Sequence, residues 1–243
     1  MICSLAIKRR PILSLFMRAT LFFTLLFTSA ALQGADLELK SLGDAAEPES
    51  KRKFGPYVGI SIGDSIGQSG TVKIGNTRSQ LQSKGGESIV SLEVGKSWKM
   101  KRLPLMLSLD AEGTYMSSSL NDPSGLVLAD MSSLMFSLNG TLALDLYRYR
   151  ARIGKFAAGF RPYVGGGLGG GQVWFRNAAT VGTATPFNID EFISSWNWYA
   201  GIEWTWKDQY SVFAEYRESN FGDMQNLTGY ATDGYLAGFR YRY

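Results

Sequence analysis

From position 105 to 115 the side chains alternate without a break. Leu105, Leu107, Leu109, Ala111, Gly113 and Tyr115 fall on one side, and Met106, Ser108, Asp110, Glu112 and Thr114 on the other. A period of two belongs to a pleated strand, in which successive side chains point to opposite faces. The pattern returns from 133 to 146, where Leu134, Phe136, Leu138, Leu142, Leu144 and Leu146 oppose Ser137, Asn139, Thr141, Ala143 and Asp145. No helical period survives beyond Phe54. Eight segments of this kind are read, near 56–63, 88–98, 104–116, 133–146, 161–175, 195–206, 209–217 and 233–243. Several reach the ~9–11 residues with which a tilted strand crosses a bilayer, where soluble strands average ~5–6.

The connections are asymmetric. Those at 64–87, 117–132, 176–194 and 218–232 are long and polar; those at 99–103 and 207–208 are short, and 147–160 is intermediate. Short turns on one side and long loops on the other fit an outer-membrane barrel. Alternation alone does not say which face is inside, because a soluble lipocalin-like barrel alternates too. The aromatic residues favour the membrane. In the phase of the leucines, Trp98, Trp204, Trp206, Tyr210, Tyr241 and Tyr243 gather at the short-turn end, and Tyr115, Trp174, Trp196, Trp198 and Tyr216 near the long-loop end. Two aromatic belts around an aliphatic band are expected to be lipid-facing girdles. The expected fold is all-β, an eight-stranded antiparallel up-and-down transmembrane β-barrel. A closed barrel leaves no backbone N–H or C=O unpaired in lipid.

Ahead of the barrel, Lys8, Arg9, Arg10 and Arg18 precede an uncharged stretch centred on Leu21-Phe22-Phe23-Thr24-Leu25-Leu26-Phe27, followed by Ser29-Ala30-Ala31. A basic start, a short apolar core and a small-residue exit make a secretory signal over 1–35, cleaved near 31–35. Residues 36–53 mix charges with small residues and are expected to form a mobile periplasmic lead-in to a barrel at 54–243. The basic excess is confined to the signal: the chain has 25 bases and 21 acids, and the signal's four bases account for the difference. Nothing supports nucleic-acid binding.

Phe54-Gly55-Pro56-Tyr57-Val58-Gly59-Ile60-Ser61-Ile62-Gly63 is echoed by Phe160-Arg161-Pro162-Tyr163-Val164-Gly165-Gly166-Gly167-Leu168-Gly169, half the barrel later. Proline at a strand start is where a missing donor is tolerated, and the inward Gly59, Gly63, Gly165, Gly167 and Gly169 leave room in a narrow lumen. With Phe213-Ala214-Glu215-Tyr216-Arg217, Asn220-Phe221-Gly222 and the closing Gly238-Phe239-Arg240-Tyr241-Arg242-Tyr243, the sequence resembles the eight-stranded outer-membrane β-barrel family, which includes the membrane domain of OmpA and the opacity-type surface proteins. The resemblance spans 54–243. It implies a bacterial outer-membrane location, contact with outer-membrane lipids and a last strand read by the barrel-assembly machinery. Tyr235, Ala237, Phe239, Tyr241 and Tyr243 supply that signal, with Tyr where the family usually ends in Phe.

Gly165-x-Gly167-x-x-Gly170 has the spacing of a dinucleotide fingerprint, but Gln172-Val173-Trp174-Phe175 continues a strand where that motif needs a helix. The inward phase carries Glu93, Asp110, Glu112, Asp145, Glu203 and Glu215 against Arg161, Arg217, Arg240 and Arg242. Bare charges in a narrow bore are costly and should pair. Counting up from the short turns puts Glu203, Glu215 and Arg240 at one height, with Asp110 completing the network from across the lumen. Such a network is either a plug that rigidifies the barrel or a gate favouring cations. Catalysis has little to work with, since the chain has no histidine and one cysteine, Cys3; neither enzyme activity, a cofactor nor a metal site is expected. Lys96, Lys99, Lys101 and Arg102, and then Arg148, Arg150, Arg152 and Lys155, form basic clusters that are either a solvated rim or contacts with anionic headgroups.

The expected role is that of a monomeric, structural, surface-exposed barrel, serving envelope integrity or adhesion and recognition of an extracellular ligand through its four long loops. A narrow small-solute channel is the main alternative, and an exported soluble binder a weaker one.

Overall fold

The computed structural model describes residues 55–243 except 75–76, 84–86, 101–102, 122–126, 181–186, 207–208 and 225–226. The expected signal and lead-in lie outside the described residues. The strands are β1 (Pro56–Ile74), β2 (Thr77–Ser83), β3 (Glu87–Lys99), β4 (Leu105–Asn121), β5 (Val127–Leu144), β6 (Phe160–Thr180), β7 (Phe187–Trp206), β8 (Tyr210–Phe221) and β9 (Leu227–Arg242). Each strand from β3 to β9 pairs antiparallel with the next, and β9 returns to β1 from Tyr57↔Arg242 up to Val72↔Leu227. β2 and β3 both lie along one flank of β1, so the closed barrel has eight staves, the second of them made of β2 and β3. Among the described residues no helix is long and apolar enough to cross a membrane; the strands do so.

The leucine side of the pleat faces out. Leu138 and Leu168 are each 73% exposed, whereas Asp110 and Glu112 are 6% and 4% exposed. A wall of bare aliphatic side chains around an enclosed set of carboxylates is stable only with hydrocarbon outside. The phase assigned to the long strands from sequence is therefore the phase of the barrel.

Two expectations need correction. The regions at 64–87, 117–132, 176–194 and 218–232 are largely strand, not loop: β1 runs on to Ile74, β4 to Asn121 and β6 to Thr180. Beyond the bilayer no lipid demands an apolar face, so runs such as Ser117-Ser118-Ser119 keep the ladder while losing the pattern. Register shifts between Ser65/Gly67, Ser69/Thr71, Leu128/Asp130 and Phe175/Ala178 mark irregularities in these upper parts. The connection after β5 is helical, a 3-10 turn (Leu146–Tyr149) followed by α1 (Arg150–Ala157). Tyr147 N–H donates to the Asp145 carboxylate to start the turn, and α1 is broken at Gly154, whose φ of 82° suits a residue without a side chain.

Inside, four large rings each lie on a glycine directly opposite on the neighbouring strand. Tyr57 covers Gly95, Tyr163 covers Gly201, Tyr199 covers Gly165 and Phe213 covers Gly238. A methyl group added at any of these glycines would fall 2.4–2.7 Å from the ring. The pairing lets rings enter a bore that eight strands leave only wide enough for side chains.

Candidate functional site in the barrel lumen

The inward charges form two layers. In the lower one, nearer the start of β1 and the end of β9, Glu203 is the common acceptor. Its Oε1 takes Arg242 Nη2 at 2.6 Å and Arg161 Nη1 at 3.2 Å, and its Oε2 takes Arg240 Nη1 at 3.0 Å. Arg240 also grips Glu93 with Nε and Nη2 in a two-pronged contact, and Arg161 Nε lies 3.9 Å from Asp145. Three guanidiniums thus meet three carboxylates. Arg240 is the hub: its guanidinium stands 4.1 Å from the centre of the Phe213 ring and within 5.7 Å of Tyr57 and Tyr163. A weakly hydrated planar cation among ring faces and carboxylates is well suited to a dry interior.

The upper layer is built on Arg217, which pairs with Glu112 and Glu215; Tyr163 O–H donates to the other Glu215 oxygen at 2.9 Å. Asn139 joins the acids, its Nδ2 donating to Asp110 at 2.9 Å and Glu112 at 2.8 Å, while Tyr57 O–H donates to Asp110 at 3.0 Å. The layer carries more acid than base. Glu215 therefore belongs with Arg217, two residues along its own strand, and not with Arg240 as counting heights suggests. Strands in a barrel tilt and stagger, so residues equally far from a turn are not level across the lumen.

Above Arg217 the interior changes character. Ile89, Met116, Met131, Met135, Val173, Phe175, Ile193, Phe221, Met224, Tyr230 and Leu236 form a buried apolar cluster, and a small cavity between it and Arg217 is lined by Met116, Met135 and Phe221. This cluster, the four ring–glycine pairs and Asn139 are absent from the sequence-based site. Apolar residues on both faces, as in Leu134-Met135-Phe136 and Trp174-Phe175, were the available signal.

On the outer wall, Trp204 and Trp206 stack at 5.5 Å, Trp206 and Tyr210 at 6.1 Å, Tyr210 meets Tyr241 at 5.3 Å, and Tyr241 meets Tyr243 at 6.3 Å. Trp98 lies on the same side of the wall with the Lys96 ammonium 5.7 Å over its ring. Higher up, Trp198 meets Tyr216 at 5.5 Å and Tyr216 meets Tyr235 at 5.7 Å. Tyr115 and Trp196 are exposed, and Trp174 shares their outward phase half-buried. Tyr235, Ala237, Phe239 and Tyr241 occupy one outward face of β9, and Tyr243 follows it in the same phase. Gly165, Gly167 and Gly170 sit mid-strand, paired on both sides, which is no setting for a phosphate loop. Among the described residues no group of three or more Asp, Glu, His or Cys side chains is placed to share a metal ion.

The family model described as outer membrane protein beta-barrel domain matches residues 22–243. Among solved structures, the chain is similar to Neisserial surface protein A, at 12% identity and a TM-score of 0.45, covering 77% of this chain and 97% of that one. It is similar to Ail, the attachment invasion locus protein of Yersinia pestis, at 15% identity and a TM-score of 0.41, covering 79% and 100%. It is also similar to the outer membrane protein OprG from Pseudomonas aeruginosa, at 15% identity and a TM-score of 0.39, covering 79% and 97%. No curated protein matches the sequence.

Proposed function

We propose, from the premise that the chain belongs to the outer-membrane β-barrel domain family and resides in the bacterial outer membrane, that it is a closed, non-conducting, non-enzymatic barrel that displays its long-loop end at the cell surface. The carrying observation is the lower charge layer, where Arg161, Arg242 and Glu203 are each no more than 3% exposed. Three guanidiniums are held by three carboxylates, Arg240 among three rings, and opening a path through them would strand buried charge. The lumen is thus a rigid plug, and function lies in what the barrel presents. The upper extensions at 64–87, 117–132, 176–194 and 218–232 are the surface for recognition or adhesion, held on staves longer than the bilayer requires. The barrel works as a monomer, and the outward face of β9 ending at Tyr243 serves as the signal to the assembly machinery.

The test is conductance in planar bilayers together with liposome swelling. The wild type is expected to give neither steady channels nor sugar entry, and Arg240→Gln to give leak currents. Steady wild-type openings or solute-dependent swelling would replace the plug by a channel.

A further inference from the structure

At the end of the barrel where β1 begins and β9 finishes, the connection between β5 and β6 is helical. The segment 146–158 leaves β5 through the 3-10 turn, runs into α1, breaks at Gly154 and folds back to β6. The return carries Phe156 out onto the wall. Its ring meets Phe160 edge-on at 5.4 Å and Trp204 at 5.7 Å, both on the lipid-facing side, yet Phe156 remains 69% exposed. Ile153 is 43% exposed one turn earlier. Backbone bonds from Ala158 N–H to Gly154 C=O and from Thr205 N–H to Gly159 C=O fix the fold-back. The same segment carries Arg148, Arg150, Arg152 and Lys155 and no acid; Arg148 and Arg152 are exposed, and Arg150 lies 4.9 Å over the Tyr147 ring.

We propose that this segment is a foot that seats anionic phospholipid headgroups of the periplasmic leaflet. Phe156 and Ile153 enter the acyl boundary beside the Trp204 belt, and Arg148 and Arg152 meet the phosphates. Exposed apolar side chains continuous with a lipid-facing belt find their cover in the bilayer, and a basic face on a short amphipathic element selects acidic lipid. Of the other basic cluster, Lys96 sits on a stave, over Trp98. Short turns mark the periplasmic end, whose leaflet is phospholipid, so phosphatidylglycerol-type lipid is the ligand and not the phosphorylated sugars of the opposite leaflet. The proposal needs only the membrane position, and a conducting wild type would leave it standing.

The test uses the full chain refolded into phosphatidylcholine bilayers containing spin-labelled phosphatidylglycerol or phosphatidylcholine, with a heat-dependent gel shift confirming that each variant is folded. A basic residue near an anionic surface contributes about fivefold in affinity. The wild type should prefer phosphatidylglycerol by about that factor or more, and lose the preference as ionic strength rises towards molar. Arg148→Gln with Arg152→Gln should bring the two lipids to parity, Arg148→Lys with Arg152→Lys should keep the preference, and Lys96→Gln with Lys99→Gln should leave it intact. Equal binding of both lipids by the wild type, a preference insensitive to salt, or a preference lost only with Lys96 and Lys99 overturns the proposal.

Discussion

Glu203→Gln removes one charge and almost no volume from the most enclosed part of the lumen. Glu203 is 3% exposed and receives Arg161, Arg240, Arg242 and the Thr205 hydroxyl. The lower layer then holds three cations and two anions, since Asp145 and Glu93 are the acids that remain. Arg240 keeps Glu93 and Arg161 keeps Asp145, but Arg242 is left with the Ser211 hydroxyl at 2.9 Å. The new amide must also turn N–H groups towards a guanidinium. Breaking a buried ion pair by removing one partner costs about 3–5 kcal/mol, and the loss expected here lies in that range. Equilibrium urea unfolding in bilayers, followed by the gel shift of the folded barrel, measures it. Adding Arg242→Met restores the balance of charge, and the double variant should recover at least half of the loss, because apolar replacement of a buried pair is often near neutral. A Glu203→Gln variant within about 0.5 kcal/mol of wild type, the size of a screened surface pair, would mean that water solvates these groups and that the plug is not dry.

Other substitutions probe other parts. Leu138→Arg places a charge on the lipid-facing wall and should cost about 2–4 kcal/mol in bilayer refolding experiments; a neutral result would dispute the membrane face. Gly165→Val drives into the Tyr199 ring, whose hydroxyl is 2.8 Å from that of Thr141, and should cost about 1–3 kcal/mol by overpacking, read by urea unfolding. Tyr243→Ser should lower the folded amount in the outer membrane of cells several-fold while leaving refolding of the purified chain unchanged; equal levels would remove the terminal aromatic from the assembly signal.

The staves were legible where lipid imposes alternation, as along β4 from Leu105 to Tyr115, because only one side can be apolar there. Their upper ends were not, since Ser117, Ser118 and Ser119 satisfy a strand and a loop equally. The members of the charge clusters were visible as inward-phase Asp, Glu and Arg. Their partners were not, because Arg240 reaches Glu93 across the seam between β9 and β1 and stagger decides who meets whom. The apolar cluster around Met131 and Met135 was hidden by an expectation that an inward face is polar. The fold-back at 146–158 depends on one left-handed glycine, Gly154, which no periodicity reveals.

The seam has a consequence for how the molecule forms. Until β9 reaches β1, Arg240 lies on one marginal strand of an open sheet and Glu93 one strand in from the other margin. Only when the margins join does that grip form, whereas Glu203 faces Arg161, directly opposite it on β6, already in the open sheet. A half-made sheet therefore lacks the Arg240–Glu93 grip, which the final zipping of first strand to last adds. Once made, the ring has no weak margin at which to begin coming apart.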